Sequence, residues 1–374
     1  MVMKIAFVDV TVTVTYGGIQ TAVWELARTL CDLGHEITVF GGEGPIRPDL
    51  GGRPITVKTY PFTPREKALD LGTRFRRFWE RWSFARQAKG DVIAGDFDWV
   101  VITKPFDFFW PKLMPAASRT RFAFRSGGTS FIAGDRYLAP GVSAFFANSY
   151  FNAWQIKSRY GRFPKVIYNG VDLERFGPHQ RRPDLRAQLG LGADDILCIF
   201  AGRLVGWKGV GISIRALAAD LVKGYPLHFL VIGSGPEEKS LKALAAKLGV
   251  ADRVFFRPGM SHGEMPAWWA SADIGLFASI GDEGFSNSMA EALASGLPVI
   301  ATAFSGNPET VGNEGNCGLL VAPEDPQALA EALFTLASDP ALRLRMGAAA
   351  RQRIVDNFTW DRVAKRLLAG LPPT

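Results

Sequence analysis

The chain has 374 residues, 47% of them hydrophobic and 21% charged, a globular composition that argues against disorder, and no run approaches the 18 apolar residues a membrane span needs. Lysine and arginine exceed aspartate and glutamate by 43 − 36 = 7, which favours an anionic ligand or an anionic surface. No zinc finger or basic heptad run points to nucleic acid. The length suits two domains, each with its own core.

The first half opens on a strand, KIAFVDV, then a glycine turn, Tyr16–Gln20, and an apolar-periodic helix over Ile19–Leu33 stopped by Gly34. Further strands read at EITVF, ITVKTY, WVVIT, RFAFR and AFFAN. The segment Thr63–Ala88 is the least regular and most basic. The polar stretch Gly177–Gly190, with two prolines and three arginines, reads as the inter-domain connection. The second half alternates more cleanly, with strands at ILCIFAG, HFLVIG, RVFFRPG, IGLFAS, PVIAT and GLLVA. Helices are predicted over Gly209–Leu221, Glu237–Leu248, His262–Ala270, Ser288–Ser295, Gln327–Ala337 and Leu342–Phe358. Short continuous apolar strands alternating with helices imply parallel sheets covered on both faces, with ligands beyond the carboxyl ends of the strands.

Five stretches carry candidate chemistry. In AGRLVGWKG, Arg203 and Lys208 follow a strand end and precede a helix, as a diphosphate site would require; surface charge around a turn is the plain alternative. In GDEGFSNSMAE, Glu283 lies just past a strand and Glu291 eight residues on, with Phe285, Ser286, Asn287 and Ser288 between them at a helix start. Carboxylates there suit sugar and ribose hydroxyls, whereas Ser288–Glu291 alone also fits a capping box. Gly17 and Gly18 let backbone approach a ligand closely, but a full dinucleotide fingerprint is missing. Arg125 and Ser126, before Gly127 and Gly128, could hold an anion or an acceptor, or be a turn with a solvated arginine.

The fifth stretch is Leu71–Arg86. Phe75, Phe78, Trp79 and Trp82 share one helical face, and Arg74, Arg76, Arg77 and Arg81 cover much of the rest. This describes an interfacial membrane helix, or a helix docking its aromatic face on the core. Phe108, in KPFDFFWPK, lines an acceptor pocket or packs. Cys31, Cys198 and Cys317 are too scattered for a zinc site or a disulfide framework and fit a reducing compartment. The N-terminus is too short and too alternating for a signal peptide. His35, His179, His228 and His262 do not pair at metal spacing, so no metal is expected.

Taken together, GGIQ, YNGVD, GRLVGWKG and EGFSNSMAE…SGLPVIAT resemble the retaining glycosyltransferases of the large family four, over nearly the whole chain and most specifically from Asn169 to Ala322. The resemblance implies an α/β GT-B fold, two Rossmann-like domains facing across a cleft. Residues 1–168 would form the acceptor-side domain and 169–355 the nucleotide-sugar domain, with a helix over 356–374 returning to the first. It implies that Arg203 and Lys208 hold the donor diphosphate and that Glu283, with backbone from Phe285 to Ser288, binds the donor sugar. Glu291 would bind the ribose, Gly17 and Gly18 would line the donor site, and Gly259 and Met260 would lie beside the base. Many members carry a histidine near the transferred sugar, where this chain has Arg125. The expected reaction moves a hexose from a UDP- or GDP-type sugar to an acceptor hydroxyl, a lipid-linked or envelope glycan precursor or a soluble small molecule. The expected place is the cytoplasm, peripheral on the inner membrane face. A GT-B epimerase or phosphorylase and a non-catalytic sugar-nucleotide-binding scaffold are the rivals.

Overall fold

The computed structural model describes residues 2–128, 130–260 and 263–372. The chain divides into two compact units, Met1–Gly170 with Trp360–Thr374, and Val171–Thr359. The breaks expected after residues 168 and 355 fall after 170 and 359.

In the first unit the order is β1 (Lys4–Val8), α1 (Gly18–Asp32), β2 (Glu36–Gly42), β3 (Thr56–Tyr60), α2 (Thr73–Ala94), β4 (Trp99–Ile102), α3 (Trp110–Leu113), β5 (Arg121–Arg125), α4 (Asp135–Leu138), β6 (Ala144–Ala147), α5 (Tyr150–Tyr160) and β7 (Lys165–Val166). The seven strands are all parallel, in the order β3-β2-β1-β4-β5-β6-β7. Alternation along each strand sends side chains to opposite faces. Ile5 and Phe7 of β1 join one apolar core with α1, and Ala6 and Val8 join the other with α2. Both faces of β1 and β4 are buried, which is why these central strands read as continuous apolar runs, whereas edge strand β3 is largely exposed.

The second unit contains α6 (Pro183–Ala187), β8 (Ile196–Ala201), α7 (Val210–Leu217), β9 (Leu227–Ile232), α8 (Glu238–Lys247), β10 (Val254–Arg257), α9 (Met265–Ser271), β11 (Ile274–Phe277), α10 (Asn287–Ala294), β12 (Val299–Thr302), α11 (Asn307–Val311), β13 (Gly318–Val321), α12 (Pro326–Ser338) and α13 (Pro340–Asn357). Its six strands are parallel, in the order β10-β9-β8-β11-β12-β13. The chain enters and leaves this unit at one place, where Val171 N–H donates to Phe358 O at 2.7 Å. The last helix, α14 (Trp360–Leu368), belongs to the first unit: Trp360, Val363, Ala364 and Leu367 recur at helical spacing and join the core that holds α1.

The stretch Gly177–Gly190 is not a linker. It folds within the second unit, where buried Arg186 donates to Asp273 at 2.7 Å and to the carbonyls of Ser271, Gly192 and Asp195. Charge density makes the stretch look solvated, and Arg181 and Arg182 are exposed, yet Arg186 is drawn inward by its acceptors. The irregular segment Thr63–Ala88 ends in α2, a 22-residue helix.

Candidate active site

In an open parallel sheet the strand order reverses at one point, and the crevice there is where ligands bind. In the second unit that point lies between β8 and β11. Beyond β8 the chain runs through Arg203 to Lys208, then turns at Gly209 into α7. Gly209 has φ 71°, and a Cβ there would sit 1.8 Å from the carbonyl oxygen of Ala278, at the end of β11. Only glycine lets the two strand ends approach this closely.

Lys208 and Glu283 therefore meet across the switch point, Nζ to Oε1 at 2.5 Å, with side chains 13% and 17% exposed. The ammonium also lies 4.7 Å from the ring centroid of Trp207. Arg203 is exposed and makes no ion pair among the described residues. The main chain at Glu283 is clamped: its carbonyl accepts from Ser305 Oγ at 2.7 Å and from Gly306 N–H at 3.0 Å. A Cβ on Gly306 would come within 1.7 Å of Gly284 O. Sequence reading missed Ser305, Gly306 and Trp207. The signal for the first two was Ser-Gly-Asn-Pro following the strand PVIAT, a turn dipeptide before a helix-starting proline.

Glu291 is not a capping-box residue. The N-cap of α10 is Ser286, with no side-chain cap bond, so Glu291 stands on the second turn. Its carboxylate accepts from Trp269 Nε1 at 3.3 Å. Burial of the carboxyl group pushes its pKa up to about 7, against the pull of the Trp269 bond and the nearby Arg175 charge. Ser286 is buried and Asn287 and Ser288 half-buried at the start of α10, where first-turn N–H groups have no carbonyl of their own helix. The Phe285 ring is buried and lies tilted against that of Phe358, with centroids 5.5 Å apart. Gly259 and Met260 follow β10, Gly259 exposed and Met260 half-buried; His262 lies outside the described residues.

In the first unit Gly17 and Gly18 are exposed at the start of α1. A Cβ on Gly127 would press within 2.4 Å of the Ile19 side chain, so the turn after β5 adjoins the glycine turn after β1. Arg125 ends β5 and is 2% exposed, not solvated. Its Nη2 donates to Asn169 Oδ1, its Nε is buried without a hydrogen-bond partner, and burial pushes its pKa down to about 10.

The switch point of this sheet, between β1 and β4, is filled. Asp9 follows β1 and accepts from Thr103, which follows β4. Arg81, 5% exposed, reaches in from α2 to Asp107 and to Asp9, the latter at 3.5 Å. Burial works against ionisation of Asp9, but Arg81, Thr103 and Thr11 hold its pKa below the usual carboxylate value. Burial pushes Asp107 up to about 7 and Lys104 down to about 8. Sequence reading placed Arg81 on an exposed basic face and gave Asp9 and Asp107 no part.

The aromatic face of α2 divides. Phe78 and Trp82 turn inward, with centroids 5.9 and 5.2 Å from Phe109. Phe75 and Trp79 stack on each other at 6.1 Å, and Trp79 is 38% exposed. Arg74 and Arg77 are exposed beside them, as are Leu69 and Leu71 on the approach to α2. Phe108 lines no acceptor pocket. It is wholly buried, edge-on to Phe124 at 4.9 Å and Phe145 at 6.0 Å, because the strand ends around it offer a dry aromatic core.

Comparison with known proteins bears on the whole chain. Residues 181–353 match the family described as glycosyl transferases group 1, and residues 16–175 match glycosyltransferase family 4. A D-inositol 3-phosphate glycosyltransferase of Streptomyces scabiei is 34% identical over 92% of this chain and 84% of its own. A GDP-mannose-dependent alpha-(1-6)-phosphatidylinositol monomannoside mannosyltransferase of Mycolicibacterium smegmatis is 37% identical over 53% of each. Two solved structures share the fold at a TM-score of 0.80: sucrose-phosphate synthase from Thermosynechococcus elongatus, 21% identical over 98% of both chains, and an Anabaena protein solved with UDP, 23% identical over 99% of both. Two sheets of one parallel topology, with paired charges at a switch point and matches over both halves, lead to one conclusion: the chain belongs to the group 1 glycosyltransferases, with the GT-B fold.

Proposed function

We propose that the enzyme transfers a hexose from a UDP- or GDP-type sugar to an acceptor hydroxyl with retention of anomeric configuration, using Arg203, Lys208, Glu283 and Arg125 at the reaction centre. The observation that carries this reading is the Lys208–Glu283 pair straddling the β8/β11 switch point, its main chain clamped by Ser305 and Gly306. On donor binding Lys208 leaves Glu283 for the diphosphate, and Glu283 accepts from the hydroxyls of the sugar. The C1–O bond breaks with its electron pair going to the diphosphate. Fixed cations aimed at that charge are worth about 3–4 kcal/mol per donor. The acceptor oxygen attacks from the face the leaving group vacates, and its proton passes to a phosphate oxygen. Two cations and a helix start supply the charge that a metal supplies elsewhere, so the proposal includes no metal. The Glu291 carboxylate takes the ribose hydroxyls, the first-turn N–H groups from Ser286 to Ser288 and the backbone of Phe285 face the donor, Gly17 and Gly18 line it, and Gly259 and Met260 flank the base.

The acceptor we propose is a lipid-linked or envelope glycan precursor. A soluble acceptor is the second reading, favoured by the relative named for D-inositol 3-phosphate. The outward pair Phe75–Trp79, with Leu69, Leu71, Arg74 and Arg77, supports a cytoplasmic enzyme peripheral on an anionic membrane face. Phe75→Glu with Trp79→Glu should then abolish sedimentation with phosphatidylglycerol vesicles, and unchanged sedimentation removes the membrane from the proposal. The donor reading is tested by thermal shift with UDP, GDP and their sugars. One base should raise the Tm of the wild type and not of Lys208→Ala. No shift with any of them, or an equal shift in the variant, would sink it.

A further inference from the structure

Three buried arginines of this chain differ in what they meet. Arg81 has Asp107 and Asp9. Arg186 has Asp273 and three backbone carbonyls. Arg125 is as buried as either, 2% exposed, and has a neutral amide, Asn169 Oδ1, and no carboxylate among the described residues. A guanidinium carries five N–H donors. Here Nε is buried with no acceptor at all.

A buried charge without a counter-charge is destabilising by several kcal/mol, which is why such groups are paired or neutralised. Arginine does not readily lose its proton, so the missing element is an anion. The guanidinium stands at the carboxyl end of β5, on the edge of the sheet where α/β proteins bind ligands. It is followed by Ser126, Gly127 and Gly128, and Gly127 closes against Ile19 beside the Gly17–Gly18 turn. A Cβ on Gly128 would meet nothing within 4 Å, so the turn after the guanidinium is open at that position. The surplus of seven positive charges is consistent with an anionic substrate.

We propose that Arg125 receives an anionic group, phosphate or carboxylate, carried by one of the two substrates, and that its counter-ion arrives with that substrate. The inference rests on the transfer reading and adds a charge requirement to it. The anion belongs either to the acceptor or to the transferred sugar of the donor.

The first test uses inorganic phosphate as the probe on the full chain. Phosphate should raise the Tm of the wild type and of Lys208→Ala, and raise that of Arg125→Met by clearly less than the wild type. Arg125→Met should itself melt at or above the wild-type temperature, since an apolar side chain removes an unpaired buried charge. Arg125→Lys, which keeps the charge, should keep a phosphate shift. The source is then read from two pairs of ligands: an inositol phosphate against inositol, and a UDP-uronate against UDP-glucose. One pair should show a preference of at least tenfold for the anionic member in wild type, lost in Arg125→Met. A purely structural arginine would give the opposite pattern, with Arg125→Met and Arg125→Lys both melting below the wild type and an undiminished phosphate shift; that result overturns the proposal. So does the lack of any phosphate shift in wild type together with no preference in either pair. Stabilisation by a nucleoside diphosphate, lost in Lys208→Ala and kept in Arg125→Met, reports on the donor reading separately.

Discussion

The two sheets reverse their strand order in the same way and put charge at the same place, yet they use it differently. At the β1/β4 switch point of the first unit, Asp9, Arg81 and Asp107 are each no more than 5% exposed and satisfy one another. At the β8/β11 switch point of the second unit, Lys208 and Glu283 keep part of their surface and Arg203 stands open. A charge that its own chain fully pairs is part of the scaffold, because separating it from its partner leaves an ion in a dry interior. A charge that still touches water can trade its partner for a ligand at less loss than a fully buried one. The same geometry thus holds a plug in one unit and a candidate receptor in the other.

The largest effect should come from pulling the plug. Arg81→Met takes away the guanidinium that pairs buried Asp9 and Asp107, leaving Lys104 as a nearby cation with no ion pair to either, and should destabilise the protein by about 3–5 kcal/mol in denaturant unfolding. Arg81→Met with Asp107→Leu should recover much of that. A change near zero for the single variant would erase the distinction between the two switch points. Lys208→Ala should do the reverse: kcat/KM falls by about 10²–10³ (~3–4 kcal/mol) while stability falls by less than in Arg81→Met. A large stability loss there would make Lys208 scaffold as well.

Next is the approach of the strand ends in the second unit. Gly209→Ala forces a Cβ against Ala278 O at a left-handed φ and should destabilise by at least ~1–2 kcal/mol from the backbone conformation alone. Gly206→Ala, three residues earlier with open space around its Cβ position, is the control, expected within about 1 kcal/mol of wild type. Equal effects would show that the loop is not held by contact with β11.

The last effect is a slope. Burial raises the Glu291 pKa to about 7, so the folded chain keeps a proton that the unfolded chain releases near the ordinary carboxylate value. The resulting stability is complete below that ordinary value and is lost as pH rises through about 7. Glu291→Gln should flatten stability across this window. If ribose hydroxyls bond to the ionised carboxylate, nucleotide affinity in the wild type should rise with pH up to about 7. A pH-independent affinity with an unchanged stability slope in the variant would remove Glu291 from the site.

The sequence alone determined the alternation of apolar strands and helices, the two sheets it implies, and the candidate positions Arg203, Lys208, Glu283 and Arg125, because strand ends and glycine turns are local signals. It was misled wherever a residue's surroundings, not its neighbours in sequence, set its role. Arg81 and Arg77 stand four apart on one helix, yet one is buried in an ion network and the other is exposed. Trp79 and Trp82 share a helical face, yet only Trp82 reaches Phe109. Glu291 had the spacing of a capping box, but the N-cap is Ser286, two residues before Ser288, and the Glu291 carboxylate is left to Trp269. Phe108, in an aromatic run, lies in the core because Phe124 and Phe145 come to it from strands far along the chain. Burial and pairing are sums over contacts distant in sequence. Local pattern can say that a charge or a ring sits at a strand end; only the folded chain decides whether water, a carboxylate or nothing stands opposite it, and for Arg125 the described residues supply no counter-charge.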